Sequence, residues 1–456
     1  MHPNETRSGA SERPAASPAL SPSPDESLTP QPAQGRLARM YKALSRLGPG
    51  FISGVADDDP SAIATYSQAG AQFGTGMLWT ALLSYPLMAA SQEISARVAR
   101  VTGRGIAANL LKHYSRTPVL CLVLLIFVSN TINIGADLAG MGAAMSLFLG
   151  RDAYGVFALL FGLFCLLAQI FLPYRRYAWL LKWMSVSIFS YVGIVFFVHV
   201  PWTAVLRDTF VPHLPRSRDE WMMLVAVLGT TVSPYMFFWQ AALELEEQRA
   251  TPGERPLRNA PEQAPHQLGA LRLDTFVGMG ISNLVAFFIM LTTALTLHAH
   301  GVTHIDTAAQ AAQALRPVAG PLAFALFALG VVGTGLLAVP ALAGSAAYAL
   351  SEVMHWPTGL DRRPWRARGF YLVICAAIAI GIGISLAGID PIRALIVSSI
   401  INGLISVPIL AAMTAMASSR RIMGELPIPP ALRWAGWITT AAMVGCAIAL
   451  AVTMLG

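Results

Sequence analysis

Gly48-Pro49-Gly50-Phe51-Ile52-Ser53-Gly54-Val55-Ala56-Asp57-Asp58-Asp59-Pro60-Ser61-Ala62-Ile63 is the stretch on which the fold turns. It opens as a small-residue apolar helix, then sets three carboxylates, a proline and a serine inside a run that stays apolar on both sides. Pro60 lacks a backbone N–H and clashes with the turn before it, so the helix is expected to break beside Asp58 and Asp59. Unwound backbone at membrane depth survives only where it faces protein or a water-filled cavity. A break that carries acids there reads as a cation site flanked by free carbonyl oxygens. The alternative is that the acids lie at the membrane surface and Pro60 only ends a short helix.

The rest of the chain supports a membrane setting. Of its 456 residues 55% are hydrophobic and 12% charged, with a mean hydropathy of +0.57. Soluble domains carry about twice that charged share. Eleven segments are long and apolar enough to span a bilayer core, which takes roughly 20 residues of helix. They are 47–71, 77–98, 119–148, 155–172, 178–200, 222–243, 275–297, 322–350, 370–387, 392–416 and 432–455. The eighth is long and glycine-rich, so a tilt or kink is expected there. Residues 1–35, rich in Pro, Ser and Ala, read as a disordered tail without the apolar core of a signal peptide. Residues 36–456 then form a single transmembrane domain.

With the N-terminus in the cytoplasm, 25 of the 31 Lys and Arg residues fall on the inner side, and the excess recurs loop by loop. That is the positive-inside pattern. It places the C-terminus outside, and the multi-pass chain in a cell's inner membrane. The net charge of +7 is thereby explained by topology, and nucleic acid is excluded as a partner. Cys121, Cys165, Cys375 and Cys446 are far apart in apolar runs and read as packing residues.

A second break is expected in the sixth segment, at Gly229-Thr230-Thr231-Val232-Ser233-Pro234-Tyr235. Two interrupted helices five segments apart point to an inverted repeat with a midplane site between its halves. Repeat one covers about 47–200, repeat two about 222–417, and 432–455 is an extra helix. The third segment places Asn130, Asn133 and Asp137 on one face by their spacings of three and four. An acid at that depth needs water or a basic partner. Ser398, Ser399 and Asn402 make a polar patch on the tenth segment, with helix–helix hydrogen bonding the expected role. Glu244, Glu246 and Glu247 read as a solvated helix end, or as charges that concentrate cations at an inner mouth.

These residues resemble the NRAMP family of divalent-metal transporters. The likeness begins at Gly48-Pro-Gly-Phe and the acidic break, and continues through Gln68-Ala-Gly-Ala-Gln-Phe-Gly74, Gln92-Glu-Ile-Ser-Ala-Arg97, Thr102-Gly103 and Asp137-Leu138-Ala139. The resemblance implies an all-α, LeuT-type fold of two inverted five-helix repeats with discontinuous first and sixth helices. It also implies departures. The family's Asp-Pro-Gly-Asn stands here as Asp59-Pro60-Ser61-Ala62, so the asparagine oxygen is lost at Ala62. Its Met-Pro-His stands as Ser233-Pro234-Tyr235, a second histidine falls on Gln240, and the alanine that lends a carbonyl aligns with Thr230. A glutamate after the third-helix acid is replaced by Gly140, and no arginine pair lies inside the ninth span.

The resemblance therefore implies a metal site of Asp59, Ser233 and Thr230 with extra room at Ala62. Asp57, Asp58, Asp137, Thr231, Tyr235, Gln240, Ser399, Asn402 and Glu244 would line the vestibule or pathway. Without a thioether, such an all-oxygen shell suits hard, partly hydrated Mg²⁺, with Mn²⁺ admissible. The expected activity is alternating-access import of Mg²⁺ or Mn²⁺ without strict proton coupling, as in the family's magnesium-transporting branch. The metal is cargo, and no resident cofactor or enzymatic activity is expected. The alternatives are a proton-coupled Mn²⁺/Fe²⁺ symporter, an amine or amino-acid carrier, and an intramembrane aspartyl protease using Asp59 and Asp137. Nothing in the sequence fixes the oligomeric state.

Overall fold

The computed structural model describes residues 48–172 and 186–455. The proposed tail, residues 36–47 and the start of the fifth span lie outside these residues. Among the described residues every regular element is helical.

Both breaks form where proline dictates. The first span splits into α1 (Pro49–Asp57) and α2 (Pro60–Phe73), and the sixth into α8 (Arg218–Thr231) and α9 (Pro234–Ala250). Each second half begins on its proline, whose missing N–H is no loss at a helix start. Between the breaks run α3 (Leu78–Thr102), α4 (Ile106–His113), α5 (Arg116–Leu149), α6 (Tyr154–Phe171) and the short α7 (Trp202–Phe210). After them come α10 (Ala264–Thr296), α11 (Ala323–Val353), α12 (Arg368–Ser385), α13 (Pro391–Ser418) and α14 (Pro430–Leu455). As expected of the eighth span, α11 is long, and it carries Pro340 inside it.

Among the described residues eight helical stretches, the two halves of the sixth span taken together, are long and apolar enough to cross a membrane, fewer than the eleven segments read from the sequence. The difference has physical causes. The first span is divided into pieces of 9 and 14 residues. The second carries Glu93, Arg97 and Arg100 in its last turns. The fifth is described only from Val186, where Val186–Phe196 winds as a 3-10 helix.

Small residues let the broken halves approach their neighbours. Gly50 and Gly54 of α1 lie against Gly278 of α10 so closely that a Cβ on Gly54 would sit 2.3 Å from the Gly278 carbonyl oxygen. Helix α9 is buried nearly all round, with Tyr235, Phe237 and Trp239 fully enclosed. Outward faces are apolar instead: Leu160, Leu163, Phe164 and Leu167 form an exposed stripe along α6. In water such a stripe would be an aggregation hazard, whereas hydrocarbon solvates it.

Candidate metal centre

Asp59 lies between the two halves of the first span and is the N-cap of α2. Its Oδ1 accepts the Ala62 N–H at 2.7 Å and the Ser61 hydroxyl at 2.6 Å. These two bonds fix the carboxylate's orientation, since the cap satisfies an otherwise orphaned helix donor. Its Oδ2 faces the other way. There the Asn133 amide of α5 donates from 3.3 Å, and the Tyr235 hydroxyl of α9 lies 3.3 Å off. Tyr235 lies equally close to the Ala56 carbonyl in the last turn of α1. Its single proton serves one acceptor at a time.

Ser233 is the N-cap of α9, yet its hydroxyl turns back onto α8. It lies 2.5 Å from the Thr230 carbonyl and 3.2 Å from that of Gly229. Those carbonyls belong to the last turn of α8, where no intrahelical donor remains for them. The Thr230 side of the site is therefore a carbonyl held by a hydroxyl, both neutral oxygens. Thr231 completes this wall through Tyr66, whose hydroxyl is 3.1 Å from Thr231 Oγ1.

The other expected site residues fall into two groups. Asp58 accepts a hydrogen bond from Ser282 of α10 at 3.0 Å. Asp57 and Asp137 are buried, and only looser contacts, from the Ser282 hydroxyl and the Ser61 N–H respectively, approach their carboxylates. No salt bridge among the described residues touches Asp57, Asp58, Asp59 or Asp137. The basic partner that would explain Asp137 is thus absent from that set, and Asp137 is sealed rather than wet in this state. Gln240 donates to Thr275 at 3.2 Å, with its Oε1 left unbonded.

Further from the break, Ser399 and Asn402 tie helices together. Thr65 donates to Ser399 at 2.9 Å, and Ser129 to Asn402 at 2.5 Å. Glu244 differs from the expected solvated helix end. It is 1% exposed and paired with Arg100 of α3 at 2.6 Å, so it is a structural ion pair rather than a mouth charge. Glu246 is likewise engaged, by the Tyr348 hydroxyl and the Leu360 N–H.

Sequence reasoning placed Asn133 on the right helix face but not in the site. Its signal, a polar residue one turn before Asp137, was present; its contact with Asp59 spans 74 positions and was not legible. Among the described residues no group of three or more His, Cys, Asp or Glu side chains is arranged to hold a metal. An ion held at the Asp59 carboxylate would meet neutral oxygens and amides around it, a hard donor set. Asp59, Ala62, Thr230, Ser233 and Tyr235 are all 2% exposed or less, so the structure is closed around them.

Comparison with known proteins agrees with this architecture. The chain is 26% identical over 428 residues to the divalent metal cation transporter MntH of Klebsiella pneumoniae (strain 342), covering 90% of this chain and 94% of the relative. Identity to the MntH of Verminephrobacter eiseniae is 26% over 407 residues, 86% and 85% of the two chains. The crystal structure of the Eremococcus coleocola manganese transporter, in complex with an aromatic bis-isothiourea substituted compound, superposes with a TM-score of 0.69 at 15% identity. That match covers 93% of this chain and 89% of the other. Mhp1, a nucleobase-cation-symport-1 family transporter in a closed conformation, gives 0.54 at 13% identity over 90% and 93%. These two establish the fold as the LeuT-type bundle with discontinuous first and sixth spans. The proteins it resembles are transporters, and the protease alternative falls with that. The family model described as natural resistance-associated macrophage protein-like matches residues 50–453, and the chain belongs to the Nramp family.

Proposed function

We propose that this chain moves divalent metal cations across a cell's inner membrane by alternating access, with Mn²⁺ as a substrate and Mg²⁺ admitted by the same site. The observation that carries this reading is the Asp59 carboxylate, pinned through one oxygen and turned through the other toward the broken end of α9. Around it stand only oxygens and amides, with Ser233 where the family's thioether would be. A thioether favours softer transition metals; its absence favours hard ions that keep part of their water. Relatives described as divalent-metal and manganese transporters support Mn²⁺ more directly than Mg²⁺. The Mg²⁺ component rests on the donor set alone.

The N-terminus lies in the cytoplasm on the charge asymmetry, with the C-terminus outside. A membrane potential negative inside then contributes about 4.6 kcal/mol per 100 mV to entry of a divalent ion, twice the single-charge value. We propose that this potential drives uptake. A second reading, proton-coupled Mn²⁺ symport, is favoured by Asp137, a buried acid with no basic partner among the described residues. Against it, Gly140 takes the place of the family's glutamate. A Cβ there would come within 2.9 Å of the Leu395 side chain, which would have to swing aside to admit an acid.

Proteoliposome uptake of Mn²⁺, Mg²⁺, Ca²⁺ and Cd²⁺, with and without a proton gradient, tests both. We expect Mn²⁺ and Mg²⁺ uptake that follows the imposed potential and is abolished in Asp59→Ala. Interior acidification in step with Mn²⁺ entry selects the symporter. Uptake unchanged in Asp59→Ala removes the site.

A further inference from the structure

We propose that Asn133 supplies the oxygen ligand missing at Ala62, by reversing its side-chain amide when the ion arrives. The inference rests on the metal-transport reading and assigns a binding role to a residue outside the broken helices.

The geometry contains two hydrogen-bond arrangements of equal length. Asn133 Nδ2 donates to Asp59 Oδ2 at 3.3 Å, and Asn133 Oδ1 accepts from the Ser398 hydroxyl at 2.8 Å. The same hydroxyl also lies 2.8 Å from the Leu395 carbonyl. One hydroxyl proton cannot serve both acceptors, so each orientation of Ser398 defines a state. When Ser398 donates to Leu395, its lone pairs are free to accept from an amide. Asn133 Nδ2 then takes the place of Oδ1 beside Ser398, and Oδ1 turns toward Asp59. Amide orientation is set by its hydrogen-bond partners, and here the partner accommodates either one.

A cation at Asp59 decides between them. Positive charge beside Oδ2 repels the Nδ2 hydrogens and attracts Oδ1. The bonds it displaces are the weak ones: Oδ1 of Asp59 has donors at 2.6 and 2.7 Å, whereas Oδ2 has only the two at 3.3 Å. Oδ2 is therefore the oxygen poised to exchange its donors for an ion. Asn133 and Ser398 are buried to 0% and 1% exposure, so no water competes for the amide from outside. Asn133 thus holds the empty carboxylate as a donor and joins the filled site as an acceptor.

The test measures Mn²⁺ dissociation constants on purified, monodisperse protein by EPR, starting with the native sequence and Asp59→Ala. Absence of Mn²⁺ binding by the native protein would remove the transport reading itself. Given binding that needs Asp59, Asn133→Leu keeps the volume without polar atoms and is expected to weaken it at least tenfold. Asn133→Asp keeps an oxygen and removes the donor, and is expected to bind Mn²⁺ at least as tightly as Asn133. An unchanged constant in Asn133→Leu overturns the proposal. So does comparable weakening in both variants, which would make the amide a donor only. Should Asn133→Leu not fold, Asn133→Asp decides alone: retained affinity supports the oxygen ligand, and loss refutes it.

Discussion

Asp274 Oδ2 accepts the Gly50 N–H at 2.7 Å, fastening the first turn of α1 to α10. Oδ1 takes the Gly48 N–H at 2.9 Å and the Phe51 N–H at 3.3 Å. One carboxylate thus satisfies three of the orphan donors with which any helix begins, from a neighbouring helix rather than from the local chain. The half-helix that ends in Asp57 is held at its far end by this single side chain. Losing a cap costs about 0.5–2 kcal/mol. In Asp274→Ala we expect amide exchange across 49–57 to accelerate about tenfold, which corresponds to ~1.4 kcal/mol. Hydrogen-exchange mass spectrometry in nanodiscs reads this, with α14 as the unchanged reference. Equal protection of α1 in the variant would show that packing alone retains it.

Packing between the same two helices makes a separate prediction. A Cβ on Gly278 would fall 2.4 Å from the Gly50 oxygen and 2.7 Å from the Phe51 Cα. Both are backbone atoms, so no side chain can yield and the helices must part. Overpacking of this kind costs about 1–3 kcal/mol. Gly278→Ala should lower the thermal midpoint in detergent. Gly269→Ala, on α10 with nothing within 4 Å of its Cβ, should leave it equal or higher, because alanine is the better helix former by about 1 kcal/mol.

The legible and illegible parts of this molecule divide by range. Pro60 and Pro234 act on their own turn, so both breaks could be placed within a residue or two, and the structure begins α2 and α9 on them. Apolar run length is also local, and it gave the spans. The errors are long-range. Glu244 reads as a solvated end from its own neighbourhood because its partner, Arg100, lies 144 positions earlier. The contact of Asn133 with Asp59 depends on how α5 crosses the break, which spacing on one helix does not reveal. Asp274 drew no notice, since nothing in the sequence says that one acid on α10 meets three N–H groups of α1.

The Arg100 cluster gives a stability prediction with a built-in control. Its Nε is 2.6 Å from Glu244, and its two terminal nitrogens reach Glu247 and Glu254. Glu247 and Glu254 are partly exposed and contribute little, as surface pairs do. Glu244 is enclosed, and stranding it without its partner costs about 3–5 kcal/mol. Arg100→Met should therefore destabilise strongly. Adding Glu244→Gln to it should recover more than half the loss, because no charge is then left buried. Arg100→Lys should fall between, since an ammonium cannot serve three carboxylates in a planar fork. Thermal unfolding of the four proteins checks the order. A double variant no better than Arg100→Met would place the cost elsewhere.

Ser233 is where selectivity should be set, because its hydroxyl does two things that a thioether cannot. It donates toward the Thr230 and Gly229 carbonyls, and its oxygen is a hard donor where a thioether sulfur is soft. Ser233→Met removes both. The Thr230 carbonyl loses its hydrogen-bond donor and becomes a freer ligand, while the added sulfur is a soft donor that favours Cd²⁺ over Mg²⁺. The two changes act together on a transition metal, since a freed carbonyl and a thioether both coordinate it. They oppose each other for Mg²⁺, which gains the carbonyl and meets a sulfur it does not bind. We expect the Cd²⁺-to-Mg²⁺ uptake ratio in proteoliposomes to rise at least tenfold, about 1.4 kcal/mol of differential affinity. The Mn²⁺-to-Mg²⁺ ratio should rise by less, Mn²⁺ being the harder of the two transition ions. A ratio that stays put, in a variant that still transports Mn²⁺, would mean that the ion never meets the side chain at position 233.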